Sequence, residues 1–134
     1  MSTEKMLLSE IKQTLITHLE GRPEVVFAVL YGSAAGNGPF HDLDVAVWVD
    51  RNLVPASEDL NYAFRLADEL EHVLPYPVDV RVINDAPLPF RYNVSQGLRL
   101  VIHDYETFYS FLERAWDEYF DFEPLLMQYL KDLR

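Results

Sequence analysis

Three apolar runs of strand-forming residues are interrupted at fixed places by glycine and aspartate. The runs occupy residues 25–31, 43–49 and 78–83. The interrupting residues are Gly32-Ser33 after the first run, Asp42 and Asp44 at the start of the second, and Asp79 within the third. Carboxylates are poor strand formers and are costly to bury. Three of them placed within apolar strands need a stabilising partner, and a bound divalent cation is one that fits.

Helical patterns surround these runs. Apolar residues spaced three and four apart predict helices from about Thr3 to Glu20, from a cap at Ser57 through Leu74, between Pro87 and Gly97, and in a C-terminal region that breaks or restarts at Pro124. A fourth strand is predicted over 98–103. The alternation predicts an α/β (α+β) fold with helices flanking one small mixed sheet. The length fits a single domain, 1–134.

The charge balance narrows the classes of partner. Twenty-two acidic residues against eleven basic ones give a net charge of −11. This argues against nucleic-acid binding, which needs cations to neutralise phosphates, and against anionic membranes. It suits a basic protein partner, and an anionic nucleotide fits if metal ions lie between it and the acids. The chain has no cysteine, signal peptide or long apolar run, so we expect a cytoplasmic protein.

The aspartates have the spacing of a metal site. Side chains two apart on a strand share a face, so Asp42 and Asp44 present paired carboxylates. Mg²⁺ usually takes one or two carboxylates together with substrate phosphates. Asp79 on a neighbouring strand completes the cluster, as a further metal ligand and as the base that accepts a proton from an attacking hydroxyl.

Gly32-Ser33 provides the second half of this site. Glycine lets the backbone approach a phosphate, and Ser33 offers a hydroxyl and amides where a helix begins. Separately, each motif has a plain structural explanation as a turn, a solvated strand end or an edge-strand charge. Their joint order favours a site. Arg81 shares the strand face of Asp79, and an ion pair with the acidic cluster is favoured over a phosphate contact.

The residues from Tyr31 to Gly36, from Asp42 to Val47, and from Val78 to Val80 together resemble the minimal nucleotidyltransferase (MNT) family of the polymerase-β-like superfamily. The resemblance covers nearly the whole chain and is densest from Val25 to His103. It implies the polymerase-β-like fold with C-terminal helices. It also implies transfer of AMP from ATP with Mg²⁺, in which Gly32 and Ser33 hold the triphosphate, Asp42 and Asp44 ligate the metal, and Asp79 is the third acid.

Many members of that family are antitoxins that silence a HEPN ribonuclease toxin by adenylylating a tyrosine. The resemblance thus implies a toxin partner and a hetero-oligomer. This chain departs from the family pattern in its spacer of eight residues, 34–41, where ten are usual. It also lacks the usual arginine after Gly-Ser and has His41 before the first acid.

Two alternatives stay open from the sequence. One is a non-catalytic acidic antitoxin that neutralises its toxin by binding alone, which the shortened loop and the negative charge favour. The other is a nucleotidyltransferase that acts on a small molecule such as an aminoglycoside. The chain has little room for the separate acceptor-binding domain that this second alternative needs.

Overall fold

The structure is a computed structural model, and it describes residues 6–36 and 38–133. Its centre is a four-stranded sheet in the order β3-β2-β1-β4. The strands are β1 (Val25–Tyr31), β2 (Leu43–Val49), β3 (Val78–Val82) and β4 (Leu98–Ile102). β1 is antiparallel to both β2 and β4, whereas β2 and β3 are parallel. The predicted small mixed sheet is therefore confirmed.

Four helices cover the two faces of the sheet. They are α1 (Leu8–Leu19), α2 (Asp59–Glu71), α3 (Leu88–Ser95) and α4 (Tyr105–Asp132). Alternate residues of a strand point to opposite faces, and the core accordingly divides into two clusters. Residues of α1 and α2 such as Leu15 and Leu66 pack on one face. Residues of α3 and α4 such as Val94 and Phe108 pack on the other.

An aromatic cluster fixes α4 on the sheet. The ring of Phe27 on β1 lies 5.0 Å from that of Phe108, 5.2 Å from that of Phe111 and 5.6 Å from that of Trp48, measured between centroids. Aromatic rings contribute large buried areas and favour edge-on or offset contacts at these distances. The first half of α4 is thus anchored on the same sheet face to which Asp44 belongs.

Two side-chain networks hold the connections at the far end of β2. Arg51 donates to both carboxylate oxygens of Asp59, at 2.6 and 3.0 Å, and to Asp85 at 2.9 Å. Asn84 pairs with the backbone of Val49, accepting from its N–H at 3.0 Å and donating to its carbonyl at 2.9 Å. These contacts fix the start of α2 and the connection between β3 and α3 against β2.

Several predicted boundaries are corrected by the structure. α1 begins at Leu8, and the predicted start at Thr3 lies outside the described residues. Ser57 is not the cap of α2 but lies in a 3-10 turn, Ala56–Glu58, that leads into the helix. The start of α2 is held instead by Arg51, whose guanidinium pairs with the carboxylate of Asp59, the first residue of the helix. None of the helices in the described part of the chain has the length and apolar character of a membrane span.

The predicted break at Pro124 is wrong. α4 continues through this residue as one helix of 28 residues, so the C-terminal region holds a single long helix where separate helices were expected. Proline removes one backbone donor and strains the preceding turn, which costs about 3 kcal/mol in a helix interior. The remaining hydrogen bonds on either side of Pro124 keep the helix continuous.

Candidate functional site

The strand register brings Tyr31, Asp44 and Asp79 onto one row across three neighbouring strands. Tyr31 pairs with Asp44 in the antiparallel ladder, and Asp44 pairs with Asp79 in the parallel one. Adjacent strands lie about 4.8 Å apart, and paired residues point to the same face. The two aspartates, separated by 35 positions in the sequence, are therefore direct neighbours on the sheet face that carries α3 and α4.

Gly32 closes the end of β1 against Asp44. It opens a short 3-10 turn, Gly32–Ala35, and has a φ of 75°, the positive φ that glycine adopts most readily. A Cβ atom at this position would lie 2.3 Å from Oδ2 of Asp44. Glycine is required here for the backbone conformation and also to leave room for the carboxylate. Ser33, exposed in the same turn, follows directly.

Asp42 lies just before β2 rather than within it, because the strand begins at Leu43. Its side chain is exposed, whereas that of Asp44 is half-buried. The two carboxylates remain close enough that Asp42 raises the pKa of Asp44 by charge repulsion. The predicted strand start at Asp42 is thus one residue too early, but the two acids do lie near each other.

Asp44 is the electrostatic centre of the site. Its pKa is raised above the usual range, first by burial and then by repulsion from Asp42 and Asp79, while Arg81 partly offsets the effect. A carboxylate that is partly desolvated among other carboxylates is unfavourable in its charged form. A cation placed among these three groups would relieve that repulsion.

Arg81 supplies positive charge on the same strand face. Its Nε lies 3.3 Å from Oδ2 of Asp79, which confirms the predicted ion pair. Its guanidinium also lies over the ring of Phe90 on α3, 5.4 Å from the centroid. Both side chains of the ion pair are more than half exposed, so the pair contributes little to stability and is free to exchange partners.

Two aromatic residues complete the floor of the site and were not singled out from the sequence. The ring of Tyr31 packs edge-on against that of Phe90 at 5.4 Å. Burial raises the pKa of the Tyr31 phenol well above its usual range, and Asp44 and Asp79 raise it further. Tyr31 is recognisable in retrospect as the residue before Gly-Ser. Phe90 carries no local signal, since only the packing of α3 brings it here.

A groove begins at Asp79 and runs along the edge of the sheet. It has a volume of about 450 Å³ and runs between β3 and α2. Its lining residues are Asp59, Leu60, Ala63, Phe64, Asp79, Val80, Arg81 and Val82. Leu60 and Phe64 are strongly exposed in it. Asp79 is therefore accessible from an open surface large enough for part of a second molecule.

The donor set fits Mg²⁺ of the kind that is shared with a substrate. Within residues 6–36 and 38–133, no three acidic or histidine side chains converge into a protein-only metal cage. Mg²⁺ seldom uses such cages and is usually held by one or two carboxylates together with phosphates and waters. Asp42 and Asp44, close together and mutually repelling, match that mode. Asp79, which pairs with Arg81, lies beside them.

Comparison with known proteins adds a family and a fold. Residues 13–106 match the family model described as polymerase beta, nucleotidyltransferase, which is well over half of the chain. No curated protein matches the chain in sequence. Among solved structures, one similar chain belongs to a tri-AMPylated Shewanella oneidensis HEPN toxin in complex with MNT antitoxin. The TM-score is 0.70 at 19% identity, covering 95% of this chain and 98% of the other.

Two further solved structures are similar to the same extent. A toxin–antitoxin complex with AMP-PNP has a TM-score of 0.70 at 21% identity, covering 91% of this chain and 97% of the other. The toxin–antitoxin complex MntA–HepT has a TM-score of 0.68 at 19% identity, covering 93% and 97%. At these identities the similarity establishes the fold, and it spans the matched chains almost completely.

Proposed function

Because the chain belongs to the polymerase beta nucleotidyltransferase family, we propose that it transfers AMP from Mg²⁺-bound ATP to a tyrosine of a HEPN ribonuclease toxin, and so acts as that toxin's antitoxin. The observation that carries this proposal is the row formed by Asp44 and Asp79 beside the Gly32 turn. The similar folds support the choice of partner, since they occur in complexes of HEPN toxins with MNT antitoxins.

The chemistry follows from the position of each group. Asp42 and Asp44 would hold the Mg²⁺, which supplies positive charge against the triphosphate. The Gly32-Ser33 turn lets the phosphates approach the backbone. The acceptor hydroxyl attacks the α-phosphorus, forming a phosphorus–oxygen bond while the bond to the β-phosphate breaks and pyrophosphate leaves. Asp79, at the mouth of the open groove, accepts the proton of the hydroxyl.

Labelled ATP, Mg²⁺ and the product of the adjacent gene test the proposal. We expect label on that protein with the native chain, and a loss of at least about 100-fold with Asp42→Asn plus Asp44→Asn, because the metal loses both carboxylates. Asp68→Asn, which alters an exposed acid on α2, is the matched control and should transfer label normally. Undiminished transfer by the double variant would refute the mechanism.

Neutralisation by binding alone is the second candidate. It is favoured by the eight-residue spacer and by the net charge of −11. A triple Asn variant at Asp42, Asp44 and Asp79 separates the two candidates in cells that produce the toxin. Loss of protection supports catalysis, whereas full protection supports binding alone.

A further inference from the structure

The long helix α4 carries an apolar stripe that the fold leaves about half exposed. Large side chains recur at separations of four, seven, four, seven and three positions, which keeps them on one face of a helix. Each is between 42% and 59% exposed. The stripe comprises Tyr105, Tyr109, Trp116, Phe120, Met127 and Leu130. It is distinct from the buried face of the same helix, which is formed by Phe108, Phe111, Leu112 and Ala115.

Few of the described side chains in the C-terminal half of α4 are buried. Ala115 is the last described residue of the helix that is buried, and Tyr119, stacked on Tyr92 at 3.7 Å, is half-buried. Beyond it the helix runs on to Asp132 with Pro124 inside. An isolated helix as short as this last part of α4 has marginal stability in water, and an internal proline lowers that stability further. A binding partner would supply the missing contacts.

The size of the stripe fits a specific interface. Six large side chains of about 200 Å² each, roughly half exposed, present on the order of 600 Å². This approaches the roughly 800 Å² that each partner contributes to a standard interface. The stripe is one side chain wide and extends over 26 residues of helix, Tyr105–Leu130, about 38 Å. A second helix lying along it is the element that best matches this shape.

The charges beside the stripe select the type of partner. Glu106, Glu113 and Asp117 are exposed and form a row along one side of it. Helix α4 as a whole has seven acidic and two basic residues, a net charge of −5. Two copies of this chain, each at −11, would bring like charges together. A helix with an apolar stripe and a flanking row of lysine or arginine is complementary in both respects.

We infer that the exposed stripe of α4 is the surface on which the protein partner docks, through an amphipathic helix with a basic flank. The identity of the partner as the HEPN toxin rests on the function proposed above, whereas the surface is argued from α4 alone. None of the stripe residues is among those that form the acidic site. Docking on α4 and transfer at Asp44 can therefore be tested separately.

Paired variants of α4 test the inference against the purified product of the adjacent gene. Phe120→Ser plus Met127→Ser should weaken the complex by about 30-fold or more, as expected when central apolar contacts are lost. Glu113→Lys plus Asp117→Lys should weaken it by about 10-fold through repulsion of the basic flank. Matched controls at exposed residues outside both the stripe and the groove, Leu7→Ser plus Val73→Ser and Asp68→Lys, should change the affinity by less than about threefold.

Sedimentation of the chain alone and transfer of label complete the test. The native chain alone should remain monomeric. The inference is overturned if the native chain self-associates through the stripe or does not bind the product of the adjacent gene. It is also overturned if the stripe variants bind that product as tightly as the native chain does. A native complex that is weakened by the stripe variants but takes up no label would refute adenylylation and support the docking surface.

Discussion

At the scale of single residues, the site depends on the absence of a side chain at Gly32. Gly32 has no side chain, and the space thus left is occupied by the carboxylate of Asp44. The sequence predicted both residues as site residues because each interrupts an apolar strand. It did not predict their contact with each other. That contact depends on the pairing of Tyr31 with Asp44, which follows from the register of the sheet and not from spacing along the chain.

Replacing Gly32 by alanine should damage the fold and the site together. The positive φ should cost about 1–2 kcal/mol of unfolding free energy for a residue with a Cβ, and the new methyl group would displace the Asp44 carboxylate. Transfer of AMP should fall by roughly 100-fold, as expected when a catalytic group is misplaced by about 1 Å. Urea unfolding and label transfer measure the two effects. Gly21→Ala, at an open position, should leave both unchanged.

We expect the charged form of Asp44 to lower the stability of the metal-free fold, although the same carboxylate serves the proposed function. Its pKa is raised in the folded protein, so the folded state binds the proton more tightly than the unfolded state, where the pKa is about 3.9. Without divalent cations, the contribution of Asp44 to the free energy of unfolding should therefore rise as the pH falls from neutral through the raised pKa. Below about pH 3.9 this contribution should stay constant.

Asp44→Asn should remove this pH dependence. In melts without divalent cations at neutral pH, we expect the variant to unfold at a higher temperature than the native chain. Added Mg²⁺ should raise the melting temperature of the native chain but not that of the variant. A variant that melts below the native chain at neutral pH would contradict the repulsion inferred at this site.

At the scale of elements, local patterns predicted which segments are helices and strands, but not what fixes their ends. Ser57 has the chemistry of a helix cap, yet Arg51, a residue of the loop after β2, holds the start of α2 through Asp59. Pro124 is a strong helix breaker in isolation, yet α4 continues through it. Phe90 could not be placed at the site before the position of α3 was known.

Arg51→Met should destabilise the fold by about 1 kcal/mol, because the bidentate bond to Asp59 is lost at a partly exposed position. Arg51→Lys should recover only part of this loss, since lysine keeps the charge but not the two parallel hydrogen bonds. Urea unfolding provides the measurement. Arg65→Met, which alters an exposed arginine of α2, is the control. A Lys variant as stable as the native chain would refute the importance of the bidentate geometry.

At the scale of the whole molecule, electrostatic attraction acts over longer distances than packing contacts do. A net charge of −11 on 134 residues creates a field that attracts a basic partner before contact. The composition predicted this general property from the sequence alone. It did not predict that an apolar stripe and an acidic row would lie side by side on α4, because only the described helix shows which of its residues the sheet leaves exposed.

Association with the partner should therefore depend strongly on salt. Between about 50 and 500 mM NaCl we expect the association rate constant to fall by roughly 10-fold or more, and the dissociation rate constant to change much less. Stopped-flow fluorescence at several salt concentrations measures both. An association rate that is insensitive to salt would show that the excess of acid serves solubility alone.

Because Tyr31 pairs with Asp44, the connection between them can change in length while the two strands keep their register. The strand residues that flank segment 34–41, Tyr31 and Asp44, are held in place by their pairing in the antiparallel ladder. Lengthening it from eight to ten residues would cost only about 0.2 kcal/mol of closure entropy. This connection is therefore a place where residues can be inserted or exchanged while Asp44 and Asp79 keep their positions.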